Sequence, residues 1–319
     1  MRVFAVGFNL YNQFDNDQKI LEEFTEVFTG TDLRDIFCIS HSFSVIHVKA
    51  NVVKIHPRNE SMEVDSGILK ICCTNDRLLI LDKCNNVHKM EFIDLAGDKP
   101  KLKEIPMGTN KIKDIACGSK LMVFYSSTGN LFNAFEKLQF EKHDIIDLKC
   151  GRDHCLVLDS NGAVYTFGRG SRGQLGHGSL NDESEPVLVE ALAGLKIVQI
   201  SAGGWHSCAL SRDGDLYTWG WNGTGQLGVY DKTESQYQVL ATPTPVNLNE
   251  NVSRVACGSR HTIVLLENKE LYGCGWNKYS QIKNCKQESF NTFVKMQSFE
   301  NEDIIDIKCG PWSSVVLCM

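Results

Sequence analysis

The chain has 319 residues, 42% hydrophobic and 23% charged, with a net charge of −6. That size allows one large domain or two ordinary ones. The acidic balance gives no electrostatic reason to expect binding to bare nucleic acid, and no apolar run is long enough to cross a bilayer.

Met1 to Val6 enters directly into Gly7-Phe8-Asn9, with Gln13-Phe14 following. No signal peptide precedes it, so the thirteen cysteines are expected to be reduced thiols. Asp17 to Phe28 is the best helix candidate in the chain, read as a loop insertion. The Gly-to-Gln phrase returns at Gly168…Gln174-Leu175, at Gly220-Trp221-Asn222…Gln226-Leu227 and at Gly275-Trp276-Asn277…Gln281-Ile282. In those copies it closes a unit that opens with Cys-Gly or Ala-Gly.

Openings follow along the chain at Ile39-Ser40, Cys73, Cys117-Gly118, Cys150-Gly151, Ala202-Gly203, Cys257-Gly258 and Cys309-Gly310. The three clearest carry a histidine three residues after the glycine: His154, His206 and His261. Leu121, Arg77, Phe43 and Ser313 fill that slot elsewhere. Alternating apolar residues and a glycine turn follow, as at Asn161-Gly162 and Asp213-Gly214, which read as hairpins. The short steps after the first and third openings imply trimmed outer loops there. Short strands at regular spacing suit an all-β ring and not βαβ units.

The first unit has an end without an opening, and the last has an opening without an end. The two halves make one unit only if the termini meet. We therefore expect one domain over residues 1–319. Its fold would be a seven-bladed β-propeller, closed by pairing the N-terminal strand Val3–Gly7 with the C-terminal half-repeat.

Few residues suggest chemistry. Gly168-Arg169-Gly170-Ser171-Arg172-Gly173 spells a dinucleotide fingerprint, but no helix follows it. One histidine per repeat is expected to bond a neighbouring loop rather than converge on a metal. Cys73, Cys117, Cys150, Cys257 and Cys309 share a position that Ala202 takes once, so the site wants a small apolar side chain. Lys99, Lys101, Lys103, Lys111 and Lys113 read as a solvated loop. No catalytic order is present, and no cofactor, catalytic residue or metal ligand is assigned.

The aromatic residues point to binding. All five tryptophans lie between Trp205 and Trp312. Trp219 reads as core. Trp205, Trp221, Asn222, Arg260, Trp276, Asn277, Lys278, Tyr279 and Trp312 are the candidate partner-binding residues, because loops on a rigid ring collect binding groups. The competing reading is that they staple adjacent blades.

The Cys-Gly-x-x-His opening, the Asp-Gly turn, Tyr217-x-Trp219-Gly220 and the Gly-Gln-Leu-Gly closing resemble the regulator of chromosome condensation repeat. The resemblance is strong from Lys149 to Ser314 and weaker from Met1 to His143. Within that family it is nearest to the small single-propeller type. It implies a non-enzymatic scaffold, a monomeric propeller within a hetero-complex. The implied partner is a JmjC-type 2-oxoglutarate oxygenase in chromatin regulation and chromosome segregation. The implied location is the nucleus, with the cytoplasm as a second site. The alternative is guanine-nucleotide exchange on a Ran-type small GTPase. Direct nucleic-acid and membrane binding are not expected.

Overall fold

A computed structural model describes the chain apart from residues 30–36, 41–43, 50, 58–59, 93–101, 143, 230–238, 298 and 300–301. Phe43, Lys99 and Lys101 lie outside the described residues. Among the described residues the strands pair into seven four-stranded antiparallel sheets. They form an all-β propeller. In chain order, blades one to six cover residues 37–63, 68–105, 112–141, 145–188, 197–245 and 252–295. The seventh sheet joins Ile304–Cys309 and Ser313–Cys318 to Arg2–Phe8 and Ile20–Thr29. No helix among the described residues is long and apolar enough to cross a membrane.

Each blade is apolar on both faces, and its neighbours bury them. The core is accordingly divided into clusters that each bridge two blades. One combines Ala256, Ile263 and Leu271 of blade six with Val6, Ile307 and Val316 of blade seven. Another joins Leu156 and Val164 of blade four to Ile200 and Trp219 of blade five. Trp219 is fully buried, and its indole N–H donates to the Gln174 carbonyl at 2.9 Å.

The closing strand is held on both sides. Arg2 to Gly7 pair in register with Cys318 to Ser313, and the same strand pairs outward with Ile20–Thr29. Gly7 repeats a local device of blades four to six. Gly7, Gly168, Gly220 and Gly275 have φ of +108°, +102°, +103° and +99°. A Cβ at each would lie 2.7, 2.6, 2.6 and 2.4 Å from the carbonyl of Trp312, Asp153, Trp205 or Arg260. Only glycine tolerates both the dihedral and that approach.

The helix expected over Asp17 to Phe28 is instead the outer strand of blade seven, Ile20–Thr29. Leu21, Phe24, Val27 and Phe28 have a helix-like spacing, but the strand carries two register shifts against its partner, between Val3/Phe4 and Ala5/Gly7. Leu21, Val27 and Phe28 pack toward blade one and Phe24 packs toward blade six, so both faces of the strand are covered and its apolar residues need not alternate. The lysine stretch is also not one loop. Lys103 begins the outer strand of blade two, whereas Lys113 lies on the inner strand of blade three and lines the central channel.

Candidate functional site: an arginine–tryptophan belt on one face

The repeat supplies each blade with the same two loops at one end. The first is the hairpin tip before the histidine slot. The second begins at the residue after the positive-φ glycine. The tips place Arg152, Trp205, Arg260 and Trp312, and the strand ends place Phe8, Trp221 and Trp276. Backbone bonds fix the two positions together. The amides of Phe8, Trp221 and Trp276 donate to the carbonyls of Trp312, Trp205 and Arg260 at 3.0, 2.8 and 2.8 Å.

The side chains form one continuous belt over blades four to seven. Trp205 and Trp221 meet edge to face at 5.6 Å. Arg172 lies 4.6 Å from the Trp205 ring and 5.2 Å from Trp221, and Arg152 lies 5.1 Å from Trp205. Arg260 is the junction, with its guanidinium 5.8, 5.3 and 5.9 Å from Trp205, Trp221 and Trp276. Beyond it, Trp276 contacts Tyr279 at 5.3 Å and Trp312 at 6.2 Å. Phe8 packs on Tyr279 at 4.8 Å and on Trp312 at 5.1 Å. A cation over an indole face contributes about 0.5–1 kcal/mol when exposed. Arg260 therefore holds its place through three weak contacts rather than one strong one. Among the described residues neither Arg172 nor Arg260 has an acidic partner within ion-pair distance.

Of the expected residues, Trp205, Trp221, Arg260, Trp276, Tyr279 and Trp312 come together, all half-buried. Lys278 is exposed beside them. Asn277 is a correction. Asn277 is 2% exposed, and its side chain organises its own loop. Its Oδ1 accepts from the Ile282 and Lys283 amides at 2.9 and 3.0 Å, and its Nδ2 donates to the Lys283 and Gln287 carbonyls. Oδ1 of the half-buried Asn222 likewise accepts from the Leu227 amide, and Oδ1 of Asn9 from the Phe14 amide. The sequence reading missed Phe8, Arg152 and Arg172. Two were legible by register: Phe8 occupies the position of Trp221, and Arg152 lies in the blade-four tip equivalent to the one that carries Trp205 in blade five.

The histidines join blades as expected, through a relay that fixes their tautomer. Nε2 of His154, His206 and His261 lies 2.9, 2.9 and 3.1 Å from the hydroxyl of Ser207, Thr262 or Ser314 on the next blade. Those hydroxyls donate to the carbonyls of Gln174, Gln226 and Gln281. A hydroxyl has one hydrogen, so it must accept from the ring, and each ring carries its proton on Nε2. Burial pushes His154 and His261 down to about 3. The glycine of Cys-Gly-x-x-His is required because the ring lies on it. A Cβ at Gly151, Gly203 or Gly258 would lie 2.2, 2.1 or 2.1 Å from the imidazole.

The glycine-rich run at Gly168 is a self-contained loop. The Gly170 amide donates to Asp182 and the Arg172 amide to Gln174, both at 2.8 Å. The donors that would cradle a phosphate are thus already committed.

The fold and its repeats define a class. The regulator of chromosome condensation (RCC1) repeat matches residues 161–210 and 213–265, and a second description of it matches 145–174, 197–226 and 252–281. The chain carries these repeats between residues 145 and 281. It is similar to human RCC1 domain-containing protein 1, 34% identical over 206 residues, covering 53% of this chain and 55% of that one. It is also similar to the ultraviolet-B receptor UVR8 of Arabidopsis thaliana, 32% identical over 236 residues, covering 67% of this chain and 53% of that one. The chain thus spans about half the length of the curated relatives it matches. Human WBSCR16 shares the fold over the whole of both chains, with a TM-score of 0.82 at 16% identity. Prp20p of Saccharomyces cerevisiae, whose structure was described with its binding to Gsp1p and histones, covers all of this chain with a TM-score of 0.81 at 15% identity, 91% of its own length being matched.

Proposed function

We propose that this chain is a non-enzymatic propeller scaffold and that the arginine–tryptophan belt is its docking face. The observation that carries this is Arg260, held among three indoles on the loop end of the ring. Arginine and tryptophan are the residue types that dominate binding energy at protein interfaces. Their pinned backbones lower the entropy lost on association. A belt of guanidinium and indole suits a partner that offers carboxylates beside flat apolar groups.

The partner proposed is a JmjC-type 2-oxoglutarate oxygenase, acting in the nucleus in chromatin regulation and chromosome segregation. Its support is the resemblance to the RCC1 domain-containing proteins. Calorimetry of the purified chain against the JmjC oxygenase of its own organism tests it. Micromolar or tighter binding, weakened by Trp205→Ala, Trp221→Ala and Trp276→Ala, is the expected result. Folded protein that shows no binding at physiological salt rejects this partner.

A second reading is guanine-nucleotide exchange on a Ran-type GTPase. It is favoured by the likeness in fold to Prp20p, whose description names Gsp1p. Nucleotide release that stays at its intrinsic rate with micromolar protein removes it.

A further inference from the structure

The inner strands of all the blades surround an axial channel of 810 Å³. Cysteines line it at the ends of these strands, among them Cys73, Cys117, Cys150, Cys257 and Cys309. All thirteen cysteines of the chain are free thiols. Many pack into the apolar core between blades, but the interface between blades five and six differs. There an imidazole nitrogen of His206, Sγ of Cys208 and Sγ of Cys257 all lie within 4.8 Å of one another. The two sulfurs are 3.3 Å apart.

We propose that this interface binds a thiophilic d10 cation, Zn2+ or Cu+, through the imidazole of His206 and the thiolates of Cys208 and Cys257. Thiolate and imidazole are the ligands these ions prefer. Metal–sulfur bonds of about 2.3 Å and metal–nitrogen bonds of about 2.0 Å put the donors of one ion roughly 3.5–4 Å apart. The observed cluster needs only small shifts to reach that spacing. Binding releases the two thiol protons, and the ion enters from the channel that Cys257 lines. Two ligands come from blade five and one from blade six, so the ion would also join the blades.

The repeats provide internal comparisons. At the interface of blades four and five, His154 stands with Leu156 and Ala202 in the two cysteine places. Between blades six and seven, His261 stands with Ile263 and Cys309, and the Cys309 thiol contacts the Ala256 carbonyl at 3.6 Å. The same histidine recurs three times, yet two sulfurs accompany it once. His206 is fully buried, and its Nδ1 has no hydrogen-bond partner.

The test uses the full-length chain, reduced and freed of metal, titrated with Co2+ and Zn2+ and, anaerobically, with Cu+. We expect one ion per chain, visible Co2+–thiolate absorption displaced by Zn2+, and a higher melting temperature with the ion bound. Cys257→Ala places at this position the residue that blade five already carries there, so folding should survive. It should weaken binding by more than the ~10–100-fold that loss of an outer-shell partner costs a metal site. Cys309→Ala should bind as the parent does. Zn2+ uptake with weak Cu+ uptake, or the reverse, identifies the ion. Failure of the reduced chain to bind any of the three overturns the proposal. So does binding that survives Cys257→Ala, or that Cys309→Ala removes equally.

Discussion

The Phe8 amide donates to the Trp312 carbonyl at 3.0 Å, although the two residues stand at opposite ends of the chain. This is the bond that Trp221 makes to Trp205 and Trp276 makes to Arg260 within single blades. Blade seven is therefore an ordinary repeat with its covalent break moved to the middle. A second contact carries the ring onward, as the Ser44 hydroxyl of blade one donates to the Gln13 carbonyl at 2.6 Å.

Strain at the closing strand should thus be felt as loss of global stability. Gly7→Ala puts a Cβ 2.7 Å from the Trp312 carbonyl at a φ of +108°. We expect a cost of about 1–3 kcal/mol. Removal of residues 1–14 takes out the strand Arg2–Phe8, leaves Ile20–Thr29 and Ser313–Cys318 without the partner between them, and should abolish a single sharp melting transition. Urea and thermal unfolding followed by circular dichroism measure both. An unchanged midpoint for Gly7→Ala would show that the closure does not limit stability.

The histidine relays can be tested at one hydroxyl. Ser207→Ala leaves the His154 N–H and a lone pair of the Gln174 carbonyl without their partner in a buried site. The expected cost is about 1–3 kcal/mol. Ser207→Thr retains a hydroxyl, as Thr262 does one blade on, and should recover most of it. Denaturation midpoints of the three proteins decide the matter.

Acid should unfold this ring through the same histidines. In the unfolded chain an imidazole titrates near 6.5, whereas His154 and His261 in the folded chain do so at about 3. Between those values the unfolded state binds more protons. Stability is then full above pH 6.5 and falls as pH drops toward 3, by up to about 1.4 kcal/mol per pH unit for each ring. The midpoint in urea, measured from pH 7.5 to 4.5, should fall more steeply for the parent than for a His154→Gln variant. Parallel slopes would remove His154 from the acid response.

On the binding face, Arg260→Met keeps the aliphatic stem and removes the charge. We expect the affinity for the oxygenase to drop by about tenfold or more, with little change in melting temperature. Arg260→Lys should also weaken binding, because an ammonium lacks the planar stacking surface. Calorimetry with both variants reads the outcome. Full affinity in Arg260→Met would place the partner elsewhere on the ring.

Much of the fold was legible because the repeat is written locally. The Cys-Gly-x-x-His and Gly-to-Gln phrases mark positions where a ring lies on a glycine or a carbonyl crowds one, and such demands are met within one blade. The region of residues 17–28 misled because its strand is covered on both faces, Phe24 by blade six and Leu21, Val27 and Phe28 toward blade one, and nothing in those twelve residues announces either neighbour. Asn277 looked like a surface group because it adjoins Trp276, yet its amide is consumed inside its own loop.

By itself the sequence determined the all-β ring, the meeting of its ends and the loop positions that carry tryptophan. Those follow from hydrophobic alternation, turn glycines and the split unit, all of which act over a few residues. Only the tertiary structure decided that Arg172 and Arg260 would share the rings of Trp205 and Trp221. It alone brought Cys257 to Cys208 and His206. Contacts between blades depend on how far each sheet is rotated about the common axis. No spacing along the chain records that rotation.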